Sequence, residues 1–296
     1  MNNNKMLITG ANGMVGSYVT KIFSDWDLYM TDLDSLDMSS TKLDVCDAVE
    51  VMQIVKNVDP DFVLHLAAAT DVDRCQIEPE WAYRVNAIGT QNIALACQET
   101  NARLIYVSTG NVFEGNKETE YTEFDKPGPK NIYGNSKLVG EEIVSSLLNK
   151  YYIVRAGWMI GGGVKDKKFV SKMAHMLMDD QGPLKAVNDK FGSPTYAFDL
   201  LEGISKLIDT GYYGLYHMVN PGMVSRFEIA EALRDILKMT QVEIESVTSE
   251  EFQTPAPRIR MEALSNYKLE LLGYNWMRSW KEALKEYVIT ELLPVL

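Results

Sequence analysis

Short apolar runs alternate with longer stretches of helical period through the first half of the chain. The runs at 5–9, 28–31, 62–66, 104–107 and 152–154 are almost continuously apolar, which predicts strands buried on both faces. Between them, stretches at 13–23, 48–58, 80–99 and 133–148 repeat apolar residues at three- and four-residue intervals and predict helices. Strands alternating with helices of this length form right-handed crossovers, so the expected fold class is α/β, a doubly wound parallel sheet. After about residue 160, glycines at 161–163, Gly182-Pro183 and the turn at 192–194 break the chain into shorter elements. Further helices are predicted at 167–179, 196–209, 225–238 and 279–292, and Ser225 stands three residues before Glu228 as in a capping box. The later part is expected to be a smaller C-terminal α/β lobe. Residues 1–160 form the larger unit, which also receives part of 190–220, and 161–296 form mainly the lobe.

Composition narrows the functional classes. The 296 residues are 46% hydrophobic and 24% charged, ordinary for a folded chain rather than a disordered one. A formal charge of −12 argues against a duplex nucleic-acid partner, which needs a basic face to displace counterions. No uninterrupted apolar run of about 18 residues predicts a membrane span. The start, Met-Asn-Asn-Asn-Lys, lacks the basic and apolar regions of a signal peptide, so the cytoplasm is the expected compartment. Cys46, Cys75 and Cys97 show no CxxC spacing and read as small apolar residues, and no metal site is expected from His65, His175 and His217.

The first strand runs into Gly10-Ala11-Asn12-Gly13-Met14-Val15-Gly16, a G-x-x-G-x-x-G turn. Glycines there let the chain leave the strand sharply and bring backbone N–H groups to a pyrophosphate, at the positive end of the next helix. Asp32 ends the second strand about 20 residues on, where a carboxylate accepts from the adenosine ribose and disfavours a 2′-phosphate. NAD(H) is thereby favoured over NADP(H), with Asp44 and Val45 as further candidates near the adenine. Small residues from Leu66 through Ala67 and Ala68 to Thr70 follow the third strand and leave room for a ligand at its end. Tyr133 and Lys137, four apart on a predicted helix, share one face, and a cation near a phenol favours phenolate. Ser108 and Thr109 close a fourth strand, where hydroxyls can donate to a carbonyl oxygen gaining charge.

Together, Gly10-x-x-Gly13-x-x-Gly16, Ser108-Thr109 and Tyr133-x-x-x-Lys137 resemble the extended short-chain dehydrogenase/reductase superfamily. Within it the chain resembles the dTDP-4-dehydrorhamnose reductase family through five further features. These are Ala68-Ala69-Thr70-Asp71-Val72-Asp73, the Ser-Thr-x-x-Val-Phe run at 108–113, Trp158, the Asn-Asp-Lys-Phe-Gly-Ser-Pro-Thr run at 188–195, and Thr254-Pro255-Ala256. The resemblance implies a Rossmann-type dinucleotide domain with a nucleotide-sugar lobe, and NAD(P)H-dependent reduction of the C4 ketone of a nucleotide-linked 6-deoxyhexulose. Such a reaction belongs to deoxysugar or cell-surface polysaccharide biosynthesis. By position, Tyr133 is the proton donor, Lys137 lowers its pKa and holds the nicotinamide ribose, and Thr109 polarises the carbonyl. Gly10, Asn12, Gly13, Met14, Val15 and Ser108 fall on the cofactor side. Val72, Asn111, Trp158, Phe191 and Arg258 fall on the substrate side.

The chain departs from that pattern at Gly110-Asn111, where an Asp-Tyr pair is usual, and at Ile259 and Glu262, where a proline and a serine are usual. These changes keep two alternatives open: a nucleotide-sugar epimerase with tightly bound NAD, and a non-catalytic regulatory subunit of the same fold. A monomer or homodimer is expected. Arg258 and Arg260 are candidates for a diphosphate, and Lys165, Lys167 and Lys168 read as a solvated helix start. His65 reads as a satisfied core histidine, and Asn86 as a brace for the active-site strand.

Overall fold

The structure, a computed structural model, describes residues 4–34, 40–179 and 182–296. Its centre is a seven-stranded, wholly parallel sheet. The strands are β1 (Lys5–Thr9), β2 (Asp27–Asp32), β3 (Thr41–Lys42), β4 (Phe62–His65), β5 (Arg103–Thr109), β6 (Tyr151–Ala156) and an edge strand Gly214–His217. They lie in the order Gly214–His217, β6, β5, β4, β1, β2, β3. The order reverses between β1 and β4, and a cleft opens at such a reversal beyond the strands' carboxyl ends.

The pleat sorts the core into two faces. Met6, Ile8, Leu64, Ile105 and Val154 point into one buried cluster, with the helices Val19–Ile22, Phe169–Met178 and Ala197–Thr210. Their neighbours Leu7, Val63, Leu104, Tyr106 and Ile153 point into the other, against Ala48–Val58, Thr90–Thr100 and Ile132–Leu147. This two-sided burial is why the strands read as continuous apolar runs. The first cluster continues without a break into Leu233, Leu284 and Leu292 of the later helices. Beyond β6 lie three short strand pairs, Trp158–Ile160 with Pro194–Tyr196, Leu184–Val187 with Ile244–Val247, and Phe191–Gly192 with Val224–Ser225, of which Trp158, Met159, Ile160, Val187 and Pro194 line the cleft.

Several elements differ from expectation. The helix expected at 13–23 is a loop followed by a 3₁₀ turn, Gly16–Tyr18, and only one α turn, Val19–Ile22. The helix expected at 80–99 is interrupted by a π-helical segment, Arg84–Gly89, between Pro79–Tyr83 and Thr90–Thr100. There the Thr90 hydroxyl donates to the Asn86 carbonyl at 2.7 Å, and Gly140 of the neighbouring helix packs so closely that a Cβ would stand 2.8 Å from the same oxygen. The helix Val72–Ile77 was not anticipated; Asp71 caps it by accepting from the Asp73 and Arg74 amides. The capping box at Ser225 and Glu228 is formed, and Ser279 with Glu282 forms a second.

Candidate active site

A cleft of about 1210 Å³ lies at the β1/β4 reversal, larger than the roughly 300–1,000 Å³ usual for one small ligand. At its floor Gly10 adopts φ 73°, and a Cβ there would stand 2.6 Å from the Ala67 amide nitrogen. At Gly16 a Cβ would come within 2.1 Å of the Ala11 carbonyl oxygen, so the turn closes on itself. Gly13 faces the cleft and would meet only the Gly10 carbonyl, at 3.2 Å, which leaves its surface open to a ligand. The Asp32 carboxylate accepts from the Asn12 amide at 2.8 Å and so ties the turn to the end of β2. Met14, Val15, Val45, Leu66, Ala67, Ala68 and Thr70 line the same cleft. Asp44 lines it too, while its carboxylate accepts from the Cys46 amide at 2.9 Å as a turn acid does. This cradle, the terminal acid of β2 and the volume fit a dinucleotide.

A second support reaches the turn from the far end of the chain. The Tyr18 hydroxyl donates to Glu291 at 2.5 Å and accepts from the Gly162 amide at 2.5 Å; Tyr196 donates to the other Glu291 oxygen. Burial, followed by the Glu291 carboxylate, holds the Tyr18 phenol well above its usual pKa.

The chemical centre is set by one strand end and one helix start. At the end of β5 both Ser108 and Thr109 line the cleft, and the Ser108 hydroxyl is turned to Glu141. Ser108 was expected to help polarise a carbonyl; it lines the cleft, but its hydroxyl donates to the buried Glu141 at 2.5 Å and is thereby engaged. Glu141 in turn holds Arg155 through contacts of 2.6 and 2.9 Å, both side chains being under 5% exposed. The helix Ile132–Leu147 starts at Asn131, whose side chain accepts from the Gly134 amide at 2.8 Å. That start sets Tyr133 and Lys137 on the cleft face. Tyr133 and Thr109 line the cleft together, near enough for the hydroxyl to act on the phenol. Asn86, placed by the π segment, joins the Ala69 backbone to Ser136 of the same helix with bonds of 2.8, 3.1 and 3.0 Å.

Electrostatics here run against one expectation. Lys137 was expected to lower the Tyr133 pKa. Burial dominates instead and pushes the phenol up to about 12, against the lowering bond from Thr109 and with the Glu262 charge adding to the rise. Lys137 is 3% exposed, with its ammonium 4.0 Å from the centre of the Tyr106 ring, and burial pulls it down to about 7 despite the nearby Glu141. His65 is bonded to Thr9 at 2.7 Å and Thr90 at 3.2 Å and stacked on Tyr106. Burial lowers its pKa to about 3, so it stays neutral.

The opposite half of the cleft is lined by Val72, Asn111, Trp158 and Arg258. Phe191, expected on the substrate side, is not among the lining residues: it packs with Val112, Phe113, Tyr121 and Met261 in a separate cluster. Arg260 pairs with Glu118 on the exposed surface, whereas Arg258 faces the cleft paired with Asp73 at 2.9 Å. Sequence reasoning missed Arg226, which stacks on Trp158 at 4.0 Å and Phe169 at 4.8 Å. Desolvation lowers its pKa to about 10. Lys167 and Lys168 are exposed at the start of the helix Phe169–Met178, as expected, and both also line this wall. Glu262 accepts from the Trp158 indole at 2.9 Å and from the Asn111 amide at 2.7 Å, and burial raises its pKa.

A parallel sheet with a glycine cradle at its reversal, and a Thr–Tyr–Lys group meeting it in one cleft, defines a dinucleotide-binding short-chain dehydrogenase/reductase. Residues 4–292 match the family described as RmlD substrate binding domain, and the chain belongs to that family. It is 36% identical to a dTDP-4-dehydrorhamnose reductase of Mycobacterium tuberculosis, over 95% of this chain and 91% of that one. Identity to the spore coat polysaccharide biosynthesis protein SpsK of Bacillus subtilis is 34%, over 96% of each. The crystal structure of a dTDP-4-dehydrorhamnose reductase from Bacillus anthracis in complex with NADP superposes with a TM-score of 0.89 at 37% identity, covering 98% of this chain and 99% of that one.

Proposed function

We propose that the protein reduces the C4 ketone of a nucleotide-linked 6-deoxyhexulose, of the dTDP-4-dehydrorhamnose type, with NAD(P)H. The observation that carries this is that Thr109, Tyr133 and Lys137 line the same cleft as the glycine cradle. Reduction of a ketone needs a proton donor, and a phenol with a pKa near 12 is protonated across the physiological range. A nicotinamide bound in the cleft would supply the hydride. Thr109 and Tyr133 donate to the carbonyl oxygen as charge develops, and Tyr133 passes its proton to the more basic alkoxide. The Lys137 ammonium offsets the phenolate left behind. Arg226, Lys168 and Arg258 form the cationic wall that receives the diphosphate of an otherwise acidic protein's substrate. The names of the M. tuberculosis and B. anthracis relatives support the same reaction.

Asp32, with Asp34 beside it on the cleft wall, favours NADH, because two carboxylates repel a 2′-phosphate. The test is oxidation of NADH and of NADPH, each against dTDP-linked 4-keto-6-deoxyhexoses. Tyr133→Phe is expected to lower kcat by about 10²–10⁴-fold with dinucleotide affinity unchanged. Asp32→Ser is expected to narrow the NADH preference. Undiminished turnover by Tyr133→Phe refutes the assignment, and turnover without added reductant indicates a bound-NAD epimerase instead.

A further inference from the structure

Glu262 is a half-buried carboxylate in the substrate half of the cleft that the proposed proton transfer leaves unused. Its two oxygens are held in different directions, Oε1 by the Trp158 indole and Oε2 by the Asn111 amide. Asn111 is itself held in place: its side-chain oxygen accepts from the Asn131 side-chain amide at 3.0 Å, and its backbone amide donates to the Thr109 hydroxyl at 3.2 Å. Asn131 caps the helix that carries Tyr133. Glu262 therefore ends a chain of bonds running through Asn111 and Asn131 to the catalytic helix. Arg226, stacked on Trp158, and Arg258 act on Glu262 through their charge, without an ion pair to it among the described residues. An ionised carboxylate offers about four acceptor positions, and two are used by the protein. Glu262 and Tyr133 line the same cleft, and the carboxylate charge acts on the phenol.

We propose that Glu262 is a specificity-determining residue that accepts a hydrogen bond from a hydroxyl on the sugar carbon next to the reacting ketone. This rests on the proposed function. In a 6-deoxyhexos-4-ulose, C5 carries the methyl group, so the hydroxyl beside the carbonyl is the one on C3. Tyr133 marks the position of the C4 oxygen, and Glu262 lies on the neighbouring wall. Trp158 and Asn111 fix the carboxylate before the sugar arrives, so little ordering remains to be done on binding. A ligand lacking the C3 hydroxyl leaves an acceptor position of this partly desolvated carboxylate unfilled, an unfavourable outcome for a charged acceptor.

Calorimetric titration of the protein saturated with NAD(H) tests this without requiring turnover. The ligands are a dTDP-linked 6-deoxyhexose and its 3-deoxy counterpart. The wild type is expected to bind the 3-deoxy ligand about ten- to a hundredfold more weakly, the range for a hydrogen bond to a charged group. Glu262→Ala and Glu262→Ser are expected to bring the two affinities within about threefold of each other while dinucleotide affinity, measured on the same samples, stays at the wild-type value. Equal affinities in the wild type overturn the proposal, as does binding of neither ligand, or a selectivity that survives both substitutions. Turnover of the keto-sugar by the wild type is followed separately. If selectivity is present and turnover is absent, the reductase reading fails while the Glu262 contact stands.

Discussion

Replacing Lys137 by Met separates what the ammonium does for the reaction from what it costs the fold. The side chain is 3% exposed, and burial lowers its pKa from 10.5 to about 7. The shift corresponds to about 5 kcal/mol at roughly 1.4 kcal/mol per pH unit, an upper figure. The sign follows from proton binding. Between pH 7 and 10.5 the unfolded chain keeps the Lys137 proton and the folded chain releases it, so the contribution of this residue to stability rises with pH. Below pH 7 both states are protonated and the full penalty is present. Met fills a similar volume without a charge, forgoing about 0.5–2 kcal/mol of attraction to the Tyr106 ring. Lys137→Met is therefore expected to be more stable than the wild type by several kcal/mol at pH 6, with the gap closing towards pH 10. Its kcat/KM should fall at least about a hundredfold, because no cation offsets the Tyr133 phenolate. Urea denaturation of both proteins at pH 6, 7.5 and 9 reads the difference directly. A variant less stable than the wild type at pH 6, or a gap that does not change with pH, refutes the burial argument.

Gly16→Ala forces a Cβ to within 2.1 Å of the Ala11 carbonyl, so the cradle must move, and dinucleotide affinity measured by calorimetry should drop at least tenfold, about 1.4 kcal/mol. Glu141→Leu strands the buried Arg155, and chemical denaturation should show a loss of about 3–5 kcal/mol. Glu141 also supports the Lys137 charge, so the same variant should shift the alkaline fall in kcat/KM from about pH 7 to lower pH in a pH–rate profile.

What could be read from the sequence depended on how local each determinant is. The strand cores and the glycine turn were legible because two-sided burial writes continuous apolar runs, and because Gly10 and Gly16 answer to backbone contacts that no other residue permits. Tyr133 and Lys137 were legible because one helix carries both. The partner of the Ser108 hydroxyl was not, since Glu141 stands 33 residues away in sequence and only the packing of its helix on β5 brings it there. Arg226 and Glu262 reach the cleft from elements with no local signature of a site, and only tertiary packing on Trp158 brings them there. Phe191 had the right chemistry for stacking but was drawn into the cluster around Phe113 and Met261. The edge strand Gly214–His217 escaped notice because four residues after a glycine turn carry too short a period to stand out.

The contact between Tyr18 and Glu291 spans 273 residues of sequence. The loop that this bond closes takes in nearly every element between the glycine turn and the helix segment Val288–Leu292. Contacts of such long separation carry a large loop-closure cost and form only once the intervening elements have packed. The cofactor end is therefore steadied by the completed fold rather than by its own neighbours in sequence, and loss of the Glu291 carboxylate removes a support at the cofactor end rather than at the sugar end.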